Sequence, residues 1–298
     1  MSGMDSTTPT RSLVSRRVER TVRGQPASDG DGVRLVRVLG HDLQRRLDPF
    51  LMLDHFGSDD ASDYVGGFPS HPHRGFETVT LMQEGRMRHR DSVGNVGLLE
   101  PGSVQWMTAG RGIVHSEMPE QEEGRMAGFQ LWVNLPAKSK MQPPAYRDIA
   151  AGGVPVVDAG GGATLRLVAG RALGRAGAVE RPDTEPLVAD VSLEARAELE
   201  LAIPETHNAF VFVHAGEVSV GPSDAVTRVA SGTMAILGNE DGAGGIRLVA
   251  EGGGPAAVLV VAGKPLREPI AQWGPFVMNS EAELRRAVDD FQRGALAT

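Results

Sequence analysis

The sequence predicts an all-β fold of two β-barrels in tandem, followed by one short C-terminal α-helix. Three observations carry that prediction. Turn formers are abundant, with 38 Gly and 19 Pro against an aromatic content of 5%, which favours many short strands over long helices. Short β-branched or alternating runs recur between Gly, Asp, Asn and Pro clusters along most of the 298 residues. The two halves also repeat each other in kind: "TVTLMQEGRMRHRDSVG" followed by "GSVQWMTAG" in the first half has a counterpart in "AFVFVHAGEVSVG" followed by "SGTMAILGN" in the second.

The elements follow in order along the chain. Residues 1–20 are polar, basic and without periodicity, and are expected to form a disordered tail. Strand-like runs from "VRLVRVLG" to "GFQLWVNLP" define a first barrel over residues 21–140, and the Pro-containing stretch "AKSKMQPPAYRDI" is the expected connection. A second barrel over residues 141–265 is built from runs such as "VPVVD", "ATLRLVAG", "AELELAIP" and "AAVLVVAG". In the closing segment, residues 266–298, Ser280 stands as N-cap with Glu283 three residues on. Leu284, Ala287, Val288 and Phe291 then make an apolar stripe that ends at Gly294, so a capped helix is expected to pack on a barrel exterior.

Composition excludes several functions. With no cysteine there is no disulfide framework, thiolate metal site or cysteine nucleophile, so any transition metal must be held by His, Asp or Glu. A formal net charge of −8, with arginines interspersed among acids, argues against direct nucleic-acid binding. No run approaches the ~18 apolar residues that span a bilayer. The opening "MSGMDSTTPTRSLVSRR" lacks the apolar core of a signal peptide, so the expectation is a cytoplasmic protein without membrane contact. "GNEDGAGG" is neither a Rossmann fingerprint nor a P-loop and reads as a hairpin turn, and no G-x-S-x-G elbow is present.

The chemistry concentrates in two short pairs. Residues i and i+2 of a strand point to one side, so His71 and His73 in "SHPHRG" present both imidazoles to one face. His115 and Glu117 in "VHSEMP" repeat the spacing, and three imidazoles with one carboxylate then converge on one ion. Such a donor set suits Fe(II), Mn(II), Ni(II) or Cu(II), with Co or Zn also admitted, and it leaves positions open for water, O2 or substrate. Glu77, four residues after His73 and of the same strand parity, is the second candidate for the carboxylate. Six of the eight histidines precede residue 120, whereas His207 and His214 lack i, i+2 partners, so one metal is expected, in the first barrel.

The stretches "FPSHPHRGFETVTLMQEG", "LLEPGSVQWMTAGRGIVHSEMP" and "EPIAQWGPFVMN" also resemble the pirin family of the cupin superfamily, over nearly the whole chain. The resemblance implies a bicupin fold, two cupin-type barrels of which the first holds a single iron through the positions of His71, His73, His115 and Glu117. It gives the acidic ligand role to Glu117 and leaves Glu77 either a partner that supports the ligands or a structural residue. It also implies activity: the family includes bacterial proteins that open flavonols such as quercetin with O2, where the flavonol 3-hydroxyl would lose its proton to Glu117 or to a metal-bound hydroxide and ring cleavage would release carbon monoxide. The alternative is a metal-dependent regulatory protein acting through protein partners, as a transcription cofactor or a modulator of a metabolic enzyme. A monomer is expected. Among other residues, Trp106 and His55 are read as structural, His89 as part of a turn, and Arg74, Gln105 and Ser116 as neighbours of the ligands that lean towards structure.

Overall fold

The computed structural model describes residues 13–296. The first half supplies β1 (Val18–Arg23), β2 (Gln25–Asp29), β3 (Val33–Leu39), β4 (Phe50–Ser58), β5 (Phe68–His73), β6 (Phe76–Glu84), β7 (Met87–Asp91), β8 (Val96–Leu99), β9 (Val104–Thr108), β10 (Ile113–Pro119) and β11 (Met126–Asn134); β12 (Ala145–Ile149) follows the connection. A seven-stranded sheet in the order β12-β9-β6-β11-β4-β3-β2 faces a four-stranded sheet in the order β5-β10-β7-β8, which makes the first barrel. All the pairings within these two sheets are antiparallel.

The second half repeats the plan with another seven-stranded and another four-stranded sheet. The repeated segments of the sequence occupy matching places. β6 and β9 pair in the first barrel as strands Asn208–Ala215 and Thr233–Leu237 pair in the second. The predicted all-β, two-barrel architecture is therefore the observed one. No described helix is long and apolar enough to cross a membrane.

The two seven-stranded sheets pack face to face. Val79 and Leu81 of β6, Val104 and Trp106 of β9, and Phe129 and Leu131 of β11 meet Phe210, Phe212, Met234, Ile236, Leu259 and Val261 of the second barrel in one buried cluster. Because side chains alternate along a strand, the intervening residues of β6 and β11, Thr80, Gln130 and Trp132, face the inside of the first barrel. The second barrel is filled with aliphatic side chains instead. Trp106 is a packing residue, as expected: its ring is fully buried, with the Arg181 guanidinium 5.2 Å from its centroid.

The strand pairing departs from cuts at residues 20 and 140. β1 does not join the first barrel but pairs antiparallel with strand Thr233–Leu237 of the second, while β12, which follows the connection, pairs with β9 of the first. Each repeat thus lends its first strand to the other's sheet. Of the tail expected over residues 1–20, residues 1–12 lie outside the described residues, and residues 13–20 are folded against the second barrel. The cause is Arg16, whose fully buried guanidinium donates to the carbonyls of His207, Pro204 and Ala243.

The closing segment forms a β-hairpin, Ala271–Trp273 with Phe276–Met278, and α1 (Glu281–Gln292). Ser280 caps the helix: its hydroxyl accepts from the N–H of Glu283 at 3.4 Å, and the Glu283 carboxylate accepts from the N–H of Asn279 at 3.1 Å. Ala287 is buried with Phe276 and Leu296, and Leu284, Val288 and Val114 pack around them. Val114 lies on the outer face of β10, so the helix braces the back of the strand that carries His115 and Glu117. Arg74 ties the arrangement together by donating to Asp290 of the helix at 2.8 Å, which assigns it a structural role.

Candidate metal centre

The site lies inside the first barrel at the junction of β5 and β10. The antiparallel register sets His71 directly opposite His115 and His73 opposite Ile113. One ring nitrogen from each of His71, His73 and His115 then lies within 4.8 Å of the other two, the only such His, Asp or Glu cluster among the described residues. Nε2 of His71 and Nε2 of His73 are 3.0 Å apart. Two donors held at a right angle by one ion, each ~2.1 Å from it, are separated by ~3.0 Å, so the spacing fits a shared metal.

The electrostatics agree. His73 and His115 are almost wholly buried, and desolvation followed by the mutual repulsion of neighbouring imidazoles pushes the pKa of each well below the ordinary value. Both rings are thereby kept neutral, the form in which imidazole binds metal. The His71 Nδ1 contacts the Pro69 carbonyl at 2.8 Å, which fixes its ring and leaves Nε2 for the centre. Nε2 of His115 is buried with no hydrogen-bond partner, an orphan that a metal ion would satisfy. The residues present therefore fit a metal.

Glu117 sits one strand period beyond His115, buried, and its carboxylate crosses the barrel interior to the opposite sheet. Oε1 accepts from the Thr80 hydroxyl at 3.1 Å and Oε2 from the Gln130 side-chain amide at 3.0 Å. Glu117 lines the same cavity as His71 and His73, but its carboxylate is not part of the cluster of donors within 4.8 Å, so of the four expected ligands the structure brings three together. This cavity, about 640 Å³, opens within the first barrel between Leu35, Met52, Phe56 and Trp132, and the hairpin residues Gln272, Gly274 and Pro275 form its rim. Its size falls within the ~300–1,000 Å³ common for small-molecule sites.

Glu77 is not brought to the histidines. The chain breaks from β5 at Arg74 and Gly75, where Gly75 takes φ +90°, so the parity that linked His73 to Glu77 does not run through. Glu77 instead faces the second barrel with Val79 and Leu81, where its Oε1 accepts from Thr108 at 2.6 Å and from Arg181 at 2.9 Å.

His89 corrects a second expectation, because it lies in β7 rather than in a turn and is fully buried. Its Nδ1 lies 3.4 Å from Nδ1 of His115, which directs the other nitrogen of His115 to the centre. The hairpin wall has no signal in the sequence, and the turn assigned to His89 overlooks the alternation with Met87 in "MRHRD", which carries a strand signal. Gln105 donates to Asp148, and His55 stacks on Phe129 at 4.7 Å in the contact between the barrels, both structural roles. His207 and His214 stay apart, each beside a carboxylate, Glu185 and Asp190. In the second barrel, the strands that match β5 and β10 bring Leu199, Leu201, Ile246 and Leu248 into the core where the first barrel carries its histidines.

Comparison with known proteins places these features among relatives. A family model described as Pirin matches residues 32–133, and one described as the Pirin C-terminal cupin domain matches residues 188–297. The chain is 53% identical over 278 residues to a Pseudomonas aeruginosa protein provisionally named quercetin 2,3-dioxygenase, covering 92% of this chain and 95% of that one. It is 39% identical over 279 residues to a human protein named pirin, covering 93% of each. A crystal structure of a quercetin 2,3-dioxygenase from Acinetobacter baumannii matches with a TM-score of 0.87 at 36% identity, over 96% of this chain and 99% of that one.

Proposed function

The chain belongs to the pirin family, with its two cupin-type barrels, and on that premise we propose that it is a mononuclear metal protein opening flavonols with O2, an activity of the quercetin 2,3-dioxygenase type. The observation that carries this reading is the cavity, which is broad enough for a small aromatic substrate and reaches His71, His73 and Glu117 directly. A protein that signalled only through its surface has no need of such a chamber.

His71, His73 and His115 would hold the ion, with Glu117 as the fourth ligand and Fe(II) as the metal. Bound there, the metal supplies Lewis acidity and one-electron chemistry towards O2. The remaining work falls to the chain. Met52, Phe56 and Trp132 offer apolar surface to the faces of a planar ring system and exclude water. Glu117 is the base for the flavonol 3-hydroxyl, and its two oxygens, steadied by Thr80 and Gln130, keep the carboxylate in place while it takes the proton. The electron-rich flavonolate then reacts with O2, the heterocycle opens, and carbon monoxide leaves.

The direct test is an aerobic assay with Fe(II)-loaded protein and quercetin. Loss of the flavonol's visible absorbance should run in step with O2 consumption and stop when the metal is removed. His115→Ala should lose near-stoichiometric iron on elemental analysis. Bleaching at the same rate by metal-free protein would end the proposal and favour a metal-dependent binding protein acting through protein contacts.

A further inference from the structure

A second cavity, about 530 Å³, lies between the barrels, away from the histidines. Its walls come from the connection between β3 and β4, from the second-barrel residues Asn208 and Asn239, and from the segment 265–270 that leads into the hairpin over the metal cavity. Its charges do not cancel. Arg46 is paired with Glu19 at 2.8 Å, and the Glu268 carboxylate accepts from the N–H of Ala137 at 2.6 Å. The guanidinium groups of Arg45 and Arg267, by contrast, take part in no ion pair among the described residues, and both line the cavity.

Two further features mark a built site. Asp48 is 6% exposed and lines the cavity; its Oδ2 accepts from the N–H of Arg267 at 2.6 Å, while Oδ1 is buried without a partner. An orphaned buried acceptor calls for a donor that the chain itself does not provide. Arg267 also has φ +56°, a left-handed conformation that a non-glycine residue adopts only when its surroundings hold it, and such strain gathers at binding sites.

We propose that this inter-barrel cavity binds a small hydroxylated oxyanion of the phosphate-ester class, whose anionic group is taken by Arg45 and Arg267 and whose hydroxyl donates to Oδ1 of Asp48. Guanidinium groups suit phosphate because their N–H groups match its oxygens in pairs. The site neither includes nor touches the metal centre. It does share two segments with the catalytic chamber, because Gln44 follows the same β3–β4 connection and donates to Gln272 of the hairpin at 2.6 Å.

The test is calorimetric titration of the full-length, metal-loaded protein with glucose 6-phosphate as the probe, beside inorganic phosphate and glucose. Glucose 6-phosphate should bind saturably, phosphate more weakly and glucose not at all. Arg267→Gly, which removes the guanidinium and suits the positive φ, should weaken binding at least tenfold while the protein melts no lower than wild type. Arg45→Ala should weaken it comparably, and His73→Ala, in the other cavity, should leave it unchanged. Absence of saturable binding to the wild type, undiminished binding by both arginine variants, or equal binding of glucose would each overturn the assignment.

Discussion

Glu117 and Lys140 show how differently single residues declare themselves. Glu117 is half of a spaced pair, so its candidacy was legible, but its fixed hydrogen bonds to Thr80 and Gln130 were not. Glu117→Gln keeps the size and removes the basicity. It should lower quercetin turnover by tenfold or more while iron content falls much less, since three imidazoles remain; kinetics and metal analysis on the same sample separate the two effects. Lys140 gave no sequence signal because a lysine in a polar connection reads as solvated. It is fully buried, and its Nζ donates to the carbonyls of Gly75 at 2.7 Å and Val277 at 3.0 Å and to Oδ1 of Asn134 at 2.6 Å. Three acceptors match the three N–H of an ammonium, yet burial pulls its pKa down to about 7. An unfolded lysine keeps its proton to pH ~10.4, so between about 7 and ~10.4 the unfolded chain binds more protons and stability rises with pH. Urea unfolding from pH 7 to 10 should show that rise in the wild type and a flat profile in Lys140→Met, which should also be less stable by about 2–4 kcal/mol.

Elements were legible where their local signals were complete. The helix α1 carried a capping box, a stripe and a terminal glycine, and it forms where those signals place it. Strands were legible as alternation, and the paired histidines followed from it. What failed was the assumption that alternation runs unbroken from His73 to Glu77, because one glycine resets it. Gly75 brings the backbone so close to the hairpin that a Cβ there would lie 2.0 Å from the Val277 carbonyl oxygen. Gly75→Ala therefore cannot keep both the turn and the hairpin in place. It should cost at least ~2 kcal/mol in a denaturant titration and expose residues 271–278 to limited proteolysis, with loss of the cavity rim that Gln272 and Pro275 provide.

At the scale of the molecule, two similar barrels were legible because turn spacing and strand content repeat. The exchange of first strands was not, since a strand's sequence records which face is buried but not which neighbour it pairs with. Chain-order reasoning assigns β1 and β12 to the wrong barrels for that reason. Residues 1–140 and 141–298 expressed separately should each remain insoluble or unfolded, because each lacks an edge strand of its seven-stranded sheet. The same two pieces expressed together should assemble and give the circular dichroism and melting curve of the intact chain. Separate, independently melting halves would refute the coupling.

The reciprocal loan of β1 and β12 has a further consequence. It is the connectivity of a strand-swapped homodimer whose two copies have been joined end to end, with the polypeptide between residues 135 and 144, anchored by Lys140, as the join. The barrel that carries the histidines and the one whose matching strands carry leucine and isoleucine are thereby held to each other as partners in an assembly, each completing the other's wall.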